Sequence, residues 1–184
     1  MTTATAPLSA EEFAEQAKGT PSVELIRGAV VHLSPGGMGH SRSSFNVAYL
    51  LEMWARRTGL GRVLTNELGL ITARNPDTVR GADVAYISYA RLPKGTAPEG
   101  FCAIAPDLVA EVLGKGQGWD TMVAKAAEYL HMGAQRVWVL DPGKRTVHVF
   151  TPDQPPQKWG EADMLRDEAV LPGFSCCISE FFDD

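Results

Sequence analysis

The sequence predicts a protein of the α/β (α+β) class, in which helices flank a mixed β-sheet and a short helix and a β-hairpin come first. Two observations carry this prediction. Between residues 40 and 141, the apolar spacing changes in the order helix, strand, strand, strand, helix, strand. The 184 residues are 45% hydrophobic and 21% charged, which suits one globular domain with a core. We expect a flexible tail at residues 1–7 and a single domain at residues 8–184.

The N-terminal elements are predicted from their capping and turn residues. Ser9 and Glu12 form the S-x-x-E pattern of a capping box, so a helix begins here, and Gly19 is expected to end it. The segment VELIRGAVVHL alternates in polarity and turns at Arg27-Gly28, which predicts a β-hairpin. The following SPGGMG segment reads as a loop.

The first half of the central series begins with a helix from His40 to Thr58, which Gly59 stops. Its predicted buried face consists of Phe45, Ala48, Leu51 and Trp54. Residues 62–73 predict one or two strands, ARNPDTVRG a loop, and ADVAYIS a strand that starts at Asp83. Residues 89–105 are rich in proline and glycine and predict a long surface excursion.

The second half predicts a strand at residues 107–113, a helix at 119–132 and a strand, RVWVL, that ends at Asp141-Pro142. A further strand, TVHVF, and short C-terminal elements follow. The apolar residues expected to form the buried stripe of the helix are Trp119, Met122, Val123, Ala126 and Leu130.

Composition excludes several classes of protein. No apolar stretch is long enough to cross a bilayer, and the first residues lack the pattern of a signal peptide. Three cysteines without framework spacing predict reduced thiols in a cytoplasmic protein, and no Cys/His cluster has zinc spacing. A net charge of −5 argues against coating nucleic acid through overall charge, although it leaves room for a local basic groove.

An acidic residue, Glu111, interrupts the apolar run of the predicted strand at 107–113. A buried carboxylate is costly unless it is paired, hydrogen-bonded or bound to a cation. Alternation places Glu111 on the face of Val109 and Leu113. If the strand of Asp83 is its neighbour, the two carboxylates converge, and a hard divalent cation would relieve both their repulsion and their desolvation. The alternatives are a solvated sheet edge or a structural ion pair.

Two lysines could serve such a site. Lys115 lies in the GKGQG loop, and Lys125 lies on the following helix, at the border of its apolar stripe, from where it could reach the sheet. The residues alone leave this choice open, and a surface position for Lys125 is the simpler interpretation. Asp77 and Asp107 also follow prolines, but the first belongs to a predicted loop and the second to the edge of the predicted strand.

Taken together, several segments resemble the Uma family, a group of restriction-endonuclease-like proteins in the PD-(D/E)XK nuclease superfamily. They are VELIRGAVVHLSP, His40, GADVAYIS, PDLVAEVL, WDTMVAKAAEYLHMGAQRVWVLDP and LPGFSCCISEFF. The resemblance runs from about Leu8 to Phe182. It implies a restriction-endonuclease-like fold, whose core order of helix, three strands, helix and strand agrees with the elements predicted above.

The resemblance also implies roles for individual residues. Asp83 and Glu111 match the two acidic motif residues that hold the metal, and Glu24 matches a further carboxylate of the metal site. Leu113 stands where the motif lysine is usual, and the matching lysine of the Uma pattern is Lys125. Secondary candidates are His40, Lys115, Asp141 and Tyr129. Two departures are Ala82, where a proline would precede Asp83, and the glycine-rich loop after the acidic strand, Gly114–Gly118.

The resulting prediction is a metal-dependent endonuclease that hydrolyses phosphodiester bonds with Mg²⁺, for which Mn²⁺ can substitute. The resemblance favours DNA as the polymer, with Arg42, Arg80 and Lys115 as candidate phosphate contacts. Cutting both strands of a duplex with one site per chain favours a homodimer. Two alternatives remain: an inactive nuclease-fold module that binds nucleic acid or protein, and a nucleotide-binding enzyme that uses the Gly114–Gly118 loop. The three motif residues argue against the first.

Overall fold

A capped helix opens the fold. The computed structural model describes residues 6–18, 20 and 22–183. Helix α1 (Ala10–Gln16) begins with the predicted capping box, in which the Ser9 side chain accepts from the Glu12 N–H and the Glu12 carboxylate accepts from the Ser9 N–H. The predicted helix end at Gly19 and residues 1–5 of the predicted tail lie outside the described residues. Pro7, the last residue of that tail, lies against the hairpin.

The predicted hairpin consists of β1 (Val23–Ile26) and β2 (Ala29–His32), which pair antiparallel. Its turn falls at Arg27 and Gly28, both with positive φ, as predicted. A Cβ added to Gly28 would lie 2.3 Å from the Cβ of Pro7, so glycine lets the chain entering α1 pass directly over the turn.

The main sheet is mixed, as predicted. Its other strands are β3 (Gly61–Ala73), β4 (Thr78–Ser88), β5 (Leu108–Val112), β6 (Arg136–Asp141), β7 (Thr146–Thr151) and β8 (Gln154–Gly160). The order is β2-β1-β4-β5-β6-β7-β8, with β3 paired to β4. Strands β5 and β6 are parallel and are joined through α3 (Trp119–Met132), whereas the other strand pairs of this sheet are antiparallel.

Strand β4 has three neighbours. Strand β3 follows one edge along nearly its whole length, whereas β1 and β5 share the other edge. Strand β1 pairs with β4 at Val79, and β5 pairs with it from Val84 to Tyr86. Residues 80–83 lie in the interval between these pairings, and this interval holds the polar groups of the candidate site.

The predicted start of β4 was wrong. Residues 78–81 were expected in a loop, but the strand starts at Thr78, so Asp83 lies in its interior. Pairing with β3 draws these turn-like residues into the ladder, since Ala73 pairs with Thr78 and Leu70 with Arg80.

Helix α2 (Met38–Thr58) ends at Gly59 as predicted, in the left-handed conformation. It packs on the face of the sheet formed by Leu108, Ala110 and Val112. Phe45 was expected to be buried, but it is exposed, and the buried face carries Ser43, Asn46, Val47, Leu51, Trp54 and Ala55. The C-terminal strands β9 (Met164–Arg166) and β10 (Ser175–Cys177) and a 3₁₀ helix (Ile178–Phe181) complete this layer.

Helix α3 covers the opposite face of the sheet, against Val109, Val137 and Val139. Its predicted stripe was rotated. Trp119 and Val123 are partly exposed, whereas Lys125 and Tyr129 are buried. Within the described part of the chain, none of the helices combines the length and the apolar character that a membrane crossing requires.

Candidate active site

A β-bulge in β3 places Asp83. Thr65 pairs with Val84 and Leu68 with Ala82, so residues 66 and 67 face the single residue Asp83. Ala82 belongs to the core on the α3 side and Val84 to the core on the α2 side. A regular strand would keep these two residues on one face. Strand β4 therefore changes face at Asp83, next to the edge where β5 diverges.

The carboxylate of Asp83 takes the place of a ladder hydrogen bond. Its Oδ2 accepts from the backbone N–H of Val112 at 2.8 Å, beyond the last residue pair of β4 with β5. His40, in the first turn of α2, places Nε2 3.2 Å from the same oxygen. Asp83 thus joins three elements: β4, the end of β5 and the start of α2.

Glu111 points from β5 toward α3, on the face that the alternation predicted. Its Oε2 lies 2.9 Å from Nζ of Lys125, and its Oε1 accepts from the Tyr129 hydroxyl at 2.6 Å. Lys125 and Tyr129 are one helical turn apart on the buried face of α3, so both reach the same carboxylate. The Glu111 side chain is 5% exposed, so its carboxylate needs both contacts.

Glu24 brings the hairpin into the same network. Its Oε1 lies 3.2 Å from Nζ of Lys125 and accepts from the Gly81 N–H at 3.1 Å, and its Oε2 accepts from Arg80 at 2.8 Å. Arg80 also forms two 2.7 Å bonds to Glu128 of α3. Lys125 therefore lies between two carboxylates, and Glu24 is itself held from both sides.

These surroundings shift the protonation equilibria of three groups. Burial raises the pKa of the Glu111 carboxyl to about 7. The contact with Lys125 offsets this rise only in part, and the negative charge of Asp83 adds to it. Burial by itself would lower the pKa of Lys125, but the charges of Glu111 and Glu24 outweigh it and raise that pKa above its usual range. Burial also raises the pKa of Tyr129, which stays protonated as a donor. A charged lysine thus faces a carboxyl that ionises near neutral pH.

One cavity of about 440 Å³ collects most of the predicted site residues. It is bounded by the segment after the hairpin, Leu33–Gly37, and by the loop after β5, Gly114–Gln117. The predicted site residues that line it are Glu24, His40, Asp83, Glu111, Lys115 and Lys125. Lys125 contacts Glu111 directly, whereas Lys115 lines the cavity from the loop.

Other acidic candidates have different surroundings. Asp141 ends β6 and binds Lys144 through both its carboxylate oxygens, and it does not line the cavity. Asp77 accepts from the Ala10 N–H and pairs with Arg74. Asp107 accepts from the Ser88 N–H at the far end of β5. These three carboxylates have structural partners away from Glu111.

The expectation that Arg80 contacts phosphate was wrong, because its side chain is 8% exposed and bonded to Glu24 and Glu128. The sequence reasoning missed this pairing and the contribution of Glu128. No local sequence pattern indicated this pairing, because the partners of Arg80 come from β1 and α3.

The donor set fits a hard divalent cation. Asp83 and Glu111 line one cavity, and each oxygen of Glu111 accepts one hydrogen bond, which leaves it a second lone pair. Among the described residues, no three His, Cys, Asp or Glu side chains form a ready-made cage. Mg²⁺ is usually held by one or two carboxylates plus waters and substrate phosphates, and it does not require such a cage.

Comparisons with known proteins agree with this fold. A comparison with curated proteins finds no match. A solved structure from Anabaena variabilis ATCC 29413, described as a putative nuclease belonging to DUF820, superposes with a TM-score of 0.78 at 20% identity, covering 96% of this chain and 98% of that one. This likeness confirms the predicted nuclease-like fold. The Uma2 family, described as "Putative restriction endonuclease", matches residues 10–179, and the chain therefore belongs to the Uma2 family.

Proposed function

We propose that the chain is a Mg²⁺-dependent phosphodiesterase that cleaves DNA as an endonuclease. One observation carries the proposal: Asp83 and Glu111, on neighbouring strands, line a single open cavity beside the buried ammonium of Lys125. Two carboxylates and a lysine facing one cavity are the groups that metal-assisted phosphate hydrolysis uses. The family description and the nuclease-like neighbour support this reaction class. The choice of DNA rests on the family description alone.

Asp83 and Glu111 would hold the cation, with Mn²⁺ as a substitute. When bound, the cation acidifies an attacking water and neutralises charge that develops on the phosphate. Asp83 is oriented for this by the Val112 N–H and His40, so its carboxylate does not need to reorganise. Glu111 is oriented by Lys125 and Tyr129.

Lys125 would supply the fixed positive charge of the site. It stays protonated because Glu111 and Glu24 raise its pKa. Glu24, held by Arg80, Gly81 and Lys125, acts in this proposal as the residue that positions Lys125. A pre-oriented charge beside the reacting phosphate stabilises the transition state without reorganisation. Lys115, on the cavity wall, would contact a substrate phosphate.

The nucleotide-cradle alternative is weaker on geometry. The Gly114–Gln117 loop lines the same cavity as Asp83 and Glu111, so a phosphate placed there faces two carboxylates. A metal-free phosphate cradle would present donors alone. The inactive binding module remains the alternative that experiment must separate from the proposal.

Metal binding tests the proposal without knowledge of the substrate. Isothermal titration of Mn²⁺ and Mg²⁺ into wild type, Asp83→Asn, Glu111→Gln and Asp141→Asn should show binding that the first two substitutions remove. Asp141→Asn is the matched control, since this carboxylate lies outside the cavity. Plasmid cleavage should then require metal and stop with EDTA. Wild type without metal binding, or equal binding in all four proteins, would refute the proposal and favour the inactive module.

A further inference from the structure

The outer side of helix α2 carries an apolar strip. Its four members are separated by seven, four and four residues, so they lie on one side of the helix. The four residues are Met38, Phe45, Tyr49 and Met53, and their exposed fractions are 91%, 58%, 53% and 55%, respectively. Large apolar side chains that stay exposed together mark an interaction surface more often than scattered ones do.

Two aromatic rings of the strip stack on each other, and a groove lies beside them. The rings of Phe45 and Tyr49 stack with centroids 6.1 Å apart and planes 13° apart. Beside them, a groove of about 630 Å³ runs between α2 and β3, with Ala48, Met53 and Val63 in its wall. A projecting aromatic pair next to an apolar groove is a shape that can complement itself.

We propose that this face binds a second copy of the chain, with the two α2 helices antiparallel about a twofold axis level with Val47. Such an axis places Phe45 of one copy opposite Tyr49 of the other, because each lies two residues from Val47. It also places Arg42 opposite Glu52, each five residues from Val47. The interface is isologous, so both contacts occur twice.

Charge favours a protein partner over a nucleic acid on this face. Nucleic acid requires cations that neutralise its phosphates. Arg56 is already paired with Glu52 at 2.6 Å, the groove wall also includes the acidic residue Asp83, and the chain has a net charge of −5. In the proposed dimer Glu52, which already contacts Arg56 of its own chain, would also face Arg42 of the other copy, so opposite charges would meet on both sides of the apolar centre of the strip.

The dimer would bring the two candidate active sites into one assembly. Asp83 lines both the groove of the proposed interface and the carboxylate cavity, so each site borders the partner. The interface does not depend on the proposed phosphodiester chemistry. Its failure would be seen in the molecular mass, whereas failure of the proposed function would be seen in metal binding.

Sedimentation velocity of the full chain, at roughly 1 to 100 µM, tests the proposal. We expect twice the chain mass of 19.9 kDa for wild type and a monomer for Met53→Arg. Met164→Arg is the matched control: Met164 is 46% exposed on β9 and does not line the groove, so its variant should remain a dimer. Circular dichroism would check that each variant is folded.

Charge reversal tests the antiparallel register. Arg42→Glu and Glu52→Arg should each raise the dimer dissociation constant at least about tenfold, and the two combined should restore it. The proposal is overturned if wild type is a monomer throughout, if Met53→Arg stays dimeric or if the combined reversal restores nothing. It is also overturned if Met53→Arg keeps the mass but loses affinity for a labelled oligonucleotide, which would make the strip a nucleic-acid surface.

Discussion

Breaking the buried pair of Glu111 and Lys125 should produce the largest stability effect among the site substitutions. Nζ and Oε2 lie 2.9 Å apart, and the two residues are 6% and 3% exposed. At an effective dielectric constant of about 20, their attraction is about 6 kcal/mol before desolvation is subtracted. Removing one member of a buried pair costs about 3–5 kcal/mol, because the other charge stays buried without its partner.

A double-mutant cycle isolates this interaction. Lys125→Met should lower the free energy of unfolding by about 3–5 kcal/mol, since it leaves Glu111 and Glu24 without their shared cation. Glu111→Gln should cost only about 1 kcal/mol, because Lys125 keeps Glu24 and the neutral amide is cheaper to bury. The double variant should cost about 2–3 kcal/mol, less than the sum of the single variants by about 2–3 kcal/mol.

The assay is urea unfolding at pH 8, where Glu111 is ionised, followed by tryptophan fluorescence from the buried Trp138. A second cycle on the exposed pair of Glu15 and Lys18 is the control, and its coupling should be below about 0.5 kcal/mol. If the buried pair shows no more coupling than this control, the description of Lys125 as the cation that neutralises Glu111 is wrong.

Three further outcomes are expected. Because burial raises the folded-state pKa of Glu111 to about 7, wild type should lose stability relative to Glu111→Gln as the pH rises from 4.5 to 7.5, measured by urea unfolding across pH; a parallel profile would contradict this. Gly28→Ala should cost at least about 1 kcal/mol more than Gly59→Ala in thermal unfolding, since both glycines have positive φ but only the first Cβ would meet Pro7. Asp77→Ala should speed hydrogen exchange at the N-terminus of α1, because the Asp77 carboxylate accepts a hydrogen bond from the Ala10 N–H. The same variant should leave Mn²⁺ binding unchanged, and a loss of binding would place Asp77 in the site.

The central order of elements and the direction of Glu111 were predictable because they depend on local periodicity. Alternation put Glu111 with Val109 and Leu113, and the structure places these two neighbours in the core under α3. Helix α2 ends at the glycine that the sequence indicated, because a left-handed C-cap has a strong residue preference.

What could not be predicted depends on contacts between distant segments. Asn46 is buried because its side chain donates to the backbone carbonyl of Asp183 at 2.8 Å, and no local pattern indicates this. Arg80 was expected to contact phosphate, and a surface position was the simpler interpretation for Lys125, because the partners of both residues come from the hairpin and from other elements. The bulge opposite Asp83 likewise arises from the register of two long strands.

The shared edge of β4 has an evolutionary consequence. Where β1 and β5 diverge, the Gly81 N–H donates to Glu24, and the Gly81 carbonyl accepts from Lys125 at 3.4 Å. Selection for folding alone would therefore keep Glu24 and Lys125 in a relative that lacks the proposed activity. An asparagine at position 83 could still accept the Val112 N–H. A relative that lost its activity would thus be recognised by its residue at the position of Asp83, while its buried lysine and glutamate looked intact.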